Sequence, residues 1–164
     1  MNASTIVHYG HLQLLGEFEG LADDEWSVVG VTTRWSLLDL LAHLASYEVF
    51  LVDVLRSVLG ESPTPTLDRM RANNATFNDI EVAARKGRTP ELVMAEYQQA
   101  HEVVNELLKR IPAERQRETG TLPWYGNEYS LEDFIVYANY GHKREHCAQV
   151  KTFRRTRARV GATG

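Results

Sequence analysis

The sequence predicts an all-α chain folded as a four-helix bundle with one long crossover connection. Three observations lead there. Four segments carry apolar residues at helical spacing, three of them open on recognisable capping signals, and no stretch alternates apolar and polar residues as a half-buried strand would. At 164 residues the chain suits one domain, residues 1–164, with a real core. No internal repeat divides it.

The first helix is expected over about residues 4–21, where Ile6, Tyr9, Leu12, Leu15 and Phe18 recur at helical spacing. A loop, "ADDEWSVVGVTTR", follows. The second helix opens on Ser36 as N-cap with Asp39 three residues on, Trp35 and Leu40 stand where a hydrophobic staple would join them, and Gly60 before "ESPTPT" marks its end. Residues 67–86 read as a helical crossover interrupted by Asn73, Asn74 and Asn78. In "RTPEL" Thr89 caps the third long helix, Pro90 sits in the first turn where its missing N–H costs nothing, and Glu91 favours the helix dipole; the helix runs until Pro112. After "ERQRETGTLPWYGNEY" the fourth begins, with Ser130 as N-cap and Asp133 three on, carrying Leu131, Phe134, Ile135, Ala138, Val150 and Phe153.

Composition excludes several classes. Hydrophobic residues at 43% and charged residues at 24% match soluble globular usage and argue against disorder or a fibrous repeat. A net charge of −4 is the wrong sign for a dedicated nucleic-acid binder. The basic "KTFRRTRARV" is best placed as cations at the negative end of a last helix. The longest apolar region, "WSLLDLLAHLASYEVFLVDVLRSVLG", carries Asp39, His43, Glu48, Asp53 and Arg56, too many polar groups for a membrane span. One cysteine, Cys147, allows no intramolecular disulfide, and the first residues lack a signal peptide's basic start and apolar run, so a reducing cytoplasm is the expected location.

The chemistry concentrates in "YGHKREHCAQV", residues 140–150. Positions four apart on a helix differ by only about 40°, so His142 and His146 face the same way. The inward stripe extended from Leu131 through Ile135 and Ala138 lands on His142 and passes beside His146. In the second helix Leu37, Leu40, Leu41, Leu44, Leu51 and Leu55 bracket His43, which lies over Leu40 and beside Tyr47. A buried neutral imidazole without a partner costs about 1–3 kcal/mol, so three converging imidazoles need a shared reason. Separate structural hydrogen bonds are one account; a divalent metal held by His43, His142 and His146 is the other, and three neutral ligands leave a coordination position open, as a catalytic site requires. The string "HKREH" also fits the H-x-x-E-H of inverted zinc peptidases, but those need an acidic ligand far downstream and only 18 residues follow His146. Cys147 is rotated about 100° from His146 and reads as a buried free thiol. His8 and His11 read as a half-exposed structural pair, and His101 as ordinary.

The stretches "WSLLDLLAHLASYE" and "HKREHCAQ" resemble the DinB-like superfamily of damage-inducible four-helix-bundle proteins, in a tryptophan followed by a helix bearing the first histidine and a closing H-x-x-x-H-x-x-Q. The resemblance spans Trp35 to Gln149. It implies a divalent metal, zinc or nickel, on His43, His142 and His146, a homodimer, and a small-molecule substrate. The superfamily includes metal-dependent hydrolases and mycothiol- and bacillithiol-dependent transferases, which implies a low-molecular-weight thiol as cosubstrate, or water, delivered to an electrophile. Some branches keep the bundle without a working triad, so a non-catalytic metal-binding protein or a metal-free stress or self-protection protein is the alternative. Gln149 is a candidate to support a ligand or substrate, and Glu48, one turn beyond His43, to orient an imidazole or act as a base; structural hydrogen bonds are the competing account of both. Trp124 and Tyr125 are candidates for a pocket mouth, with aromatic packing at a bundle end as the bland alternative.

Overall fold

The computed structural model describes residues 2–161. Its helices are α1 (Ala3–Phe18), α2 (Leu37–Val58), α3 (Pro65–Ala72), α4 (Phe77–Ala83), α5 (Pro90–Arg110), α6 (Ala113–Arg117), α7 (Leu131–Phe134) and α8 (His142–Gly161), with a π-helical segment, Ile135–Gly141, joining the last two. The four long courses of the bundle are α1, α2, α5 and the run from α7 through the π segment into α8. The crossover is α3 and α4, which lie against α2. Among the described residues there is no strand, only an isolated antiparallel bridge between Val29 and Ser36.

Local chemistry sets the helix ends. At α2 the Ser36 hydroxyl accepts from the Asp39 N–H while the Asp39 carboxylate accepts from the Ser36 N–H, a reciprocal box worth about 1 kcal/mol. Gly60, at φ +73°, closes the same helix: its N–H donates to Ser57 O and that of Glu61 to Arg56 O, a Schellman turn that a residue with a Cβ adopts only under strain. Ser130 and Asp133 repeat the box at α7, and Thr89 caps α5 ahead of Pro90.

Three expectations are corrected. The crossover is two short helices rather than one, broken across residues 73–76, where the Asn73 side chain donates to the Arg69 carbonyl. The first helix stops at Phe18, and its buried face is Ala3, Ile6, Val7, Gly10, Leu14 and Phe18; Ile6 and Phe18 face inward as expected, while Tyr9 and Leu12 are exposed. Steps of three drift by about 60° each, so a run of threes cannot stay on one face. Gly10 faces inward where the π segment and the start of α8 come close: a Cβ on it would lie 3.2 Å from Tyr140 Cδ2 and 3.4 Å from Lys143 Cδ. Lastly, the inward stripe of the fourth course runs through Ile135, Asn139, Lys143, Cys147 and Val150, while Ala138 and His142 sit half-buried beside it.

The apolar interior falls into two clusters. One holds Val7, Leu51, Leu55, Val104, Leu108 and Leu131 among others, the second Leu14, Leu37, Leu41, Leu44, Val93 and Val150 among others. Each fully buried leucine contributes about 1.5–3 kcal/mol. Along every long helix the residues separating the two clusters are polar or small: Gly10 on α1, Glu48 on α2, His101 on α5 and Lys143 on α8. Of the metal-ligating candidates, His142 adjoins this layer through Lys143, while His43 lies five residues before Glu48 on α2.

Candidate metal centre

His43 comes from the first two turns of α2, and His142 and His146 from the first two turns of α8. Their rings meet: His43 Nε2 is 2.8 Å from His142 Nε2, which is 3.0 Å from His146 Nε2. One ligand atom from each of the three lies within 4.8 Å of the others. His43 is buried and the other two are half-buried. Trp35 and Tyr47 pack on the His43 ring at centroid distances of 4.8 Å each, and Tyr47 reaches the His142 ring at 4.2 Å. Aromatic walls thus cover the cluster from the α2 side.

The donor set fits a cation. His146 Nδ1 lies 2.8 Å from Gln149 Oε1. An amide oxygen only accepts, so the proton sits on Nδ1 and the His146 Nε2 lone pair faces the other rings. Burial first, then the neighbouring imidazoles, hold the His43 pKa down to about 2; burial, then His146 and Lys143, hold His142 to about 3. At neutral pH these rings are uncharged. A single ring proton can bridge only one nitrogen pair well, whereas one cation satisfies all three lone pairs. Nitrogens sharing a tetrahedral zinc at about 2.05 Å lie about 3.3 Å apart, so the two pairs made by His142, at 2.8 and 3.0 Å, need to open by only a few tenths of an ångström, and all three ligand atoms lie within 4.8 Å of one another. His43 Nδ1 is buried with no hydrogen-bond partner among the described residues.

A sequence model of the DinB superfamily matches residues 11–150. The chain belongs to the DinB superfamily. No curated protein and no solved structure matches it. The family match covers all three histidines and Gln149, and the cluster of His43, His142 and His146 is compatible with a metal site.

In this DinB-superfamily chain the remaining candidates lie around the triad. Gln149 contacts the triad directly through His146. Glu48 is fully buried and bonds a different imidazole: its Oε1 is 2.8 Å from His101 Nδ1 and its Oε2 accepts from Lys143 Nζ at 2.8 Å. Both oxygens are therefore engaged away from the triad. Burial alone would raise the Glu48 pKa, but the Lys143 ammonium and the hydrogen bonds from His101 and Lys143 outweigh it and bring it to about 2. Lys143 Nζ also donates to Tyr97 Oη at 3.3 Å, and Tyr97 Oη lies 3.3 Å from His11 Nδ1, whose ring stacks on His101 at 3.8 Å. The triad thus adjoins a buried polar layer through the peptide bond between His142 and Lys143.

Trp124 and Tyr125 line a cavity of about 470 Å³ that also takes in Tyr47, Phe50, Phe134 and Arg71. Tyr47 is shared between this cavity and the triad. Its hydroxyl donates to Asn78 Oδ1 at 3.1 Å, and burial raises its pKa. Sequence reasoning missed Lys143 and His101. Their positions carry a signal: Glu48 continues the Leu44, Leu51, Leu55 stripe, His101 the Tyr97, Val104, Leu108 stripe, and Lys143 precedes Cys147 by four. Polar residues at core positions on three helices announce one another.

Proposed function

We propose that this protein is a metal-dependent enzyme in which His43, His142 and His146 hold one divalent cation, zinc or nickel, and in which a small thiol or water attacks a small electrophile. The observation that carries the reading is the meeting of three imidazoles from two helices, with His142 Nε2 at 2.8 Å from His43 Nε2 and 3.0 Å from His146 Nε2. A cation bound there supplies Lewis acidity, which lowers the pKa of a thiol or water at the position that three protein ligands leave open. Gln149 fixes the tautomer of His146 and so keeps its inward nitrogen unprotonated. Trp35 and Tyr47 limit water around the rings, which strengthens every electrostatic interaction there. The aromatic cavity ending at Tyr47 gives an apolar substrate a place beside the triad. Neutral ligands leave a bound cation's charge uncompensated, which favours an approaching thiolate. A cytoplasmic location suits this chemistry, because a thiol cosubstrate stays reduced there.

Turnover tests the reading. Zinc- or nickel-loaded protein should couple a low-molecular-weight thiol to 1-chloro-2,4-dinitrobenzene or hydrolyse an activated ester. Chelation should abolish turnover while helical circular dichroism persists, since the two apolar clusters do not involve the triad. Unfolding on chelation, with no turnover by the loaded protein, would instead assign the ion to stability alone.

A further inference from the structure

We infer that the cavity beside the triad binds a small organic anion, with an aromatic or extended apolar body among Phe50, Trp124, Tyr125 and Phe134 and an acidic group at Arg71. This deepens the proposed function and takes its catalytic meaning from it, but the physical basis is separate. A cavity of about 470 Å³ is within the range that encloses small ligands. Its aromatic walls brace one another: Phe50 and Trp124 at 5.9 Å, Trp124 and Phe134 at 5.7 Å, and Tyr125 and Phe134 at 5.0 Å between ring centroids, with interplanar angles of 62°, 73° and 90°. Rings locked edge to face form a surface that a ligand need not organise.

Arg71 supplies the specificity. It stands in the last turn of α3, lines the cavity together with Asn74, and no carboxylate is among the lining residues. The other arginines of the crossover are committed: Arg69 to Glu81, Arg85 to Glu81 and Glu96, Arg88 to Glu96. No hydrogen bond or ion pair engages Arg71 among the described residues. An unpaired guanidinium beside an apolar cavity complements a carboxylate or phosphonate, both of which it can grip through two parallel hydrogen bonds. At the inner end Tyr47 lies on the His142 ring, so a ligand anchored by its acidic group at Arg71 extends its apolar body toward the triad.

Calorimetric titration with 3-phenylpropionate, 2-phenylethylphosphonate and the neutral 3-phenylpropanamide tests this. At least one anion should bind about tenfold or more tighter than the amide. Arg71→Ala should bring that anion down to the amide's affinity and leave the amide unchanged, and Arg71→Lys should recover part of the difference. Arg71 is exposed and bonds nothing among the described residues, so these variants should melt with the wild type. Phe134→Ala should weaken all three probes. Equal binding of amide and anions, an anion affinity indifferent to Arg71→Ala, or no binding of any probe by folded wild type overturns the inference. Bound metal measured alongside on the wild type separates the two readings. Anion preference retained by a wild type that takes up no metal sinks only the catalytic reading, and metal bound without anion preference sinks only this one.

Discussion

Lys143 is adjacent to a metal-ligand candidate, yet its side chain belongs to the core. The residue is 2% exposed, and its ammonium is held by Glu48 on α2 and Tyr97 on α5. Taking an ammonium and a carboxylate out of water costs several kcal/mol, repaid only when the geometry and further hydrogen bonds are good; here His101 and Tyr97 supply those bonds. Lys143→Met leaves the Glu48 charge facing His101 alone, and denaturant titration should show a loss of about 3–5 kcal/mol. The double variant Lys143→Met with Glu48→Leu should lose clearly less than the sum of the two single changes; simple additivity would mean that the pair does not interact. The three histidines were legible because an i, i+4 pair in an apolar stripe is conspicuous. Lys143 was harder to read, since its only signal is its place four residues before Cys147, and a lysine between two histidines reads as surface until its partner on another helix is set beside it. Arg71 carried no signal at all, because its role depends on the absence of acids around a cavity that only the fold creates.

At the scale of elements, the π segment Ile135–Gly141 decides where the α8 histidines point. Its i→i+5 bonds add a residue to the turn, and such segments gather at functional sites. Extrapolating a 3.6 period from Leu131 places Ala138 and His142 on the innermost line; the wider turn puts Asn139 and Lys143 there and rolls His142 and His146 toward the α2 ring of His43. Periodicity read from sequence cannot register that extra residue, whereas the caps at Ser36, Thr89 and Ser130 were readable because each is a local hydrogen-bonding pattern. Deleting Tyr137, which is 61% exposed, should return the segment to α-helix and rotate everything beyond it by about 100°. The variant should keep most of its helicity by circular dichroism and lose metal affinity by at least two orders of magnitude. Wild-type affinity in the deletion variant would show that the π turn does not aim the ligands.

Over the whole molecule, a polar layer crosses the bundle between two apolar clusters, and its titration, together with the lowered imidazoles of His43 and His142, sets the response of the metal-free protein to acid. Burial, then the neighbouring His101 and Lys143, hold the His11 pKa at about 4 against 6.5 for a free imidazole. Between pH 6.5 and 4 the unfolded chain takes up a proton there that the folded chain refuses, so stability falls as pH falls. Glu48 acts in the same direction lower down: its stabilisation is complete above about pH 4.5 and is lost as pH drops toward 2. Metal-free protein should therefore show a nearly constant melting temperature above pH 7 and a steady decline from 6.5 downward. A melting temperature that holds level or rises between pH 6.5 and 4 would contradict that arrangement. None of the described helices is long and apolar enough to cross a membrane, which leaves the layer and the triad as the features that set this bundle apart from a plain hydrophobic one. The most direct measurement is equilibrium dialysis of chelator-stripped protein against zinc and against nickel, with metal analysis of the retained fraction. The account predicts about one ion per chain for the wild type and its loss in His43→Ala, His142→Ala and His146→Ala. A wild type that retains neither ion, or a His142→Ala variant that retains as much as the wild type, would contradict it.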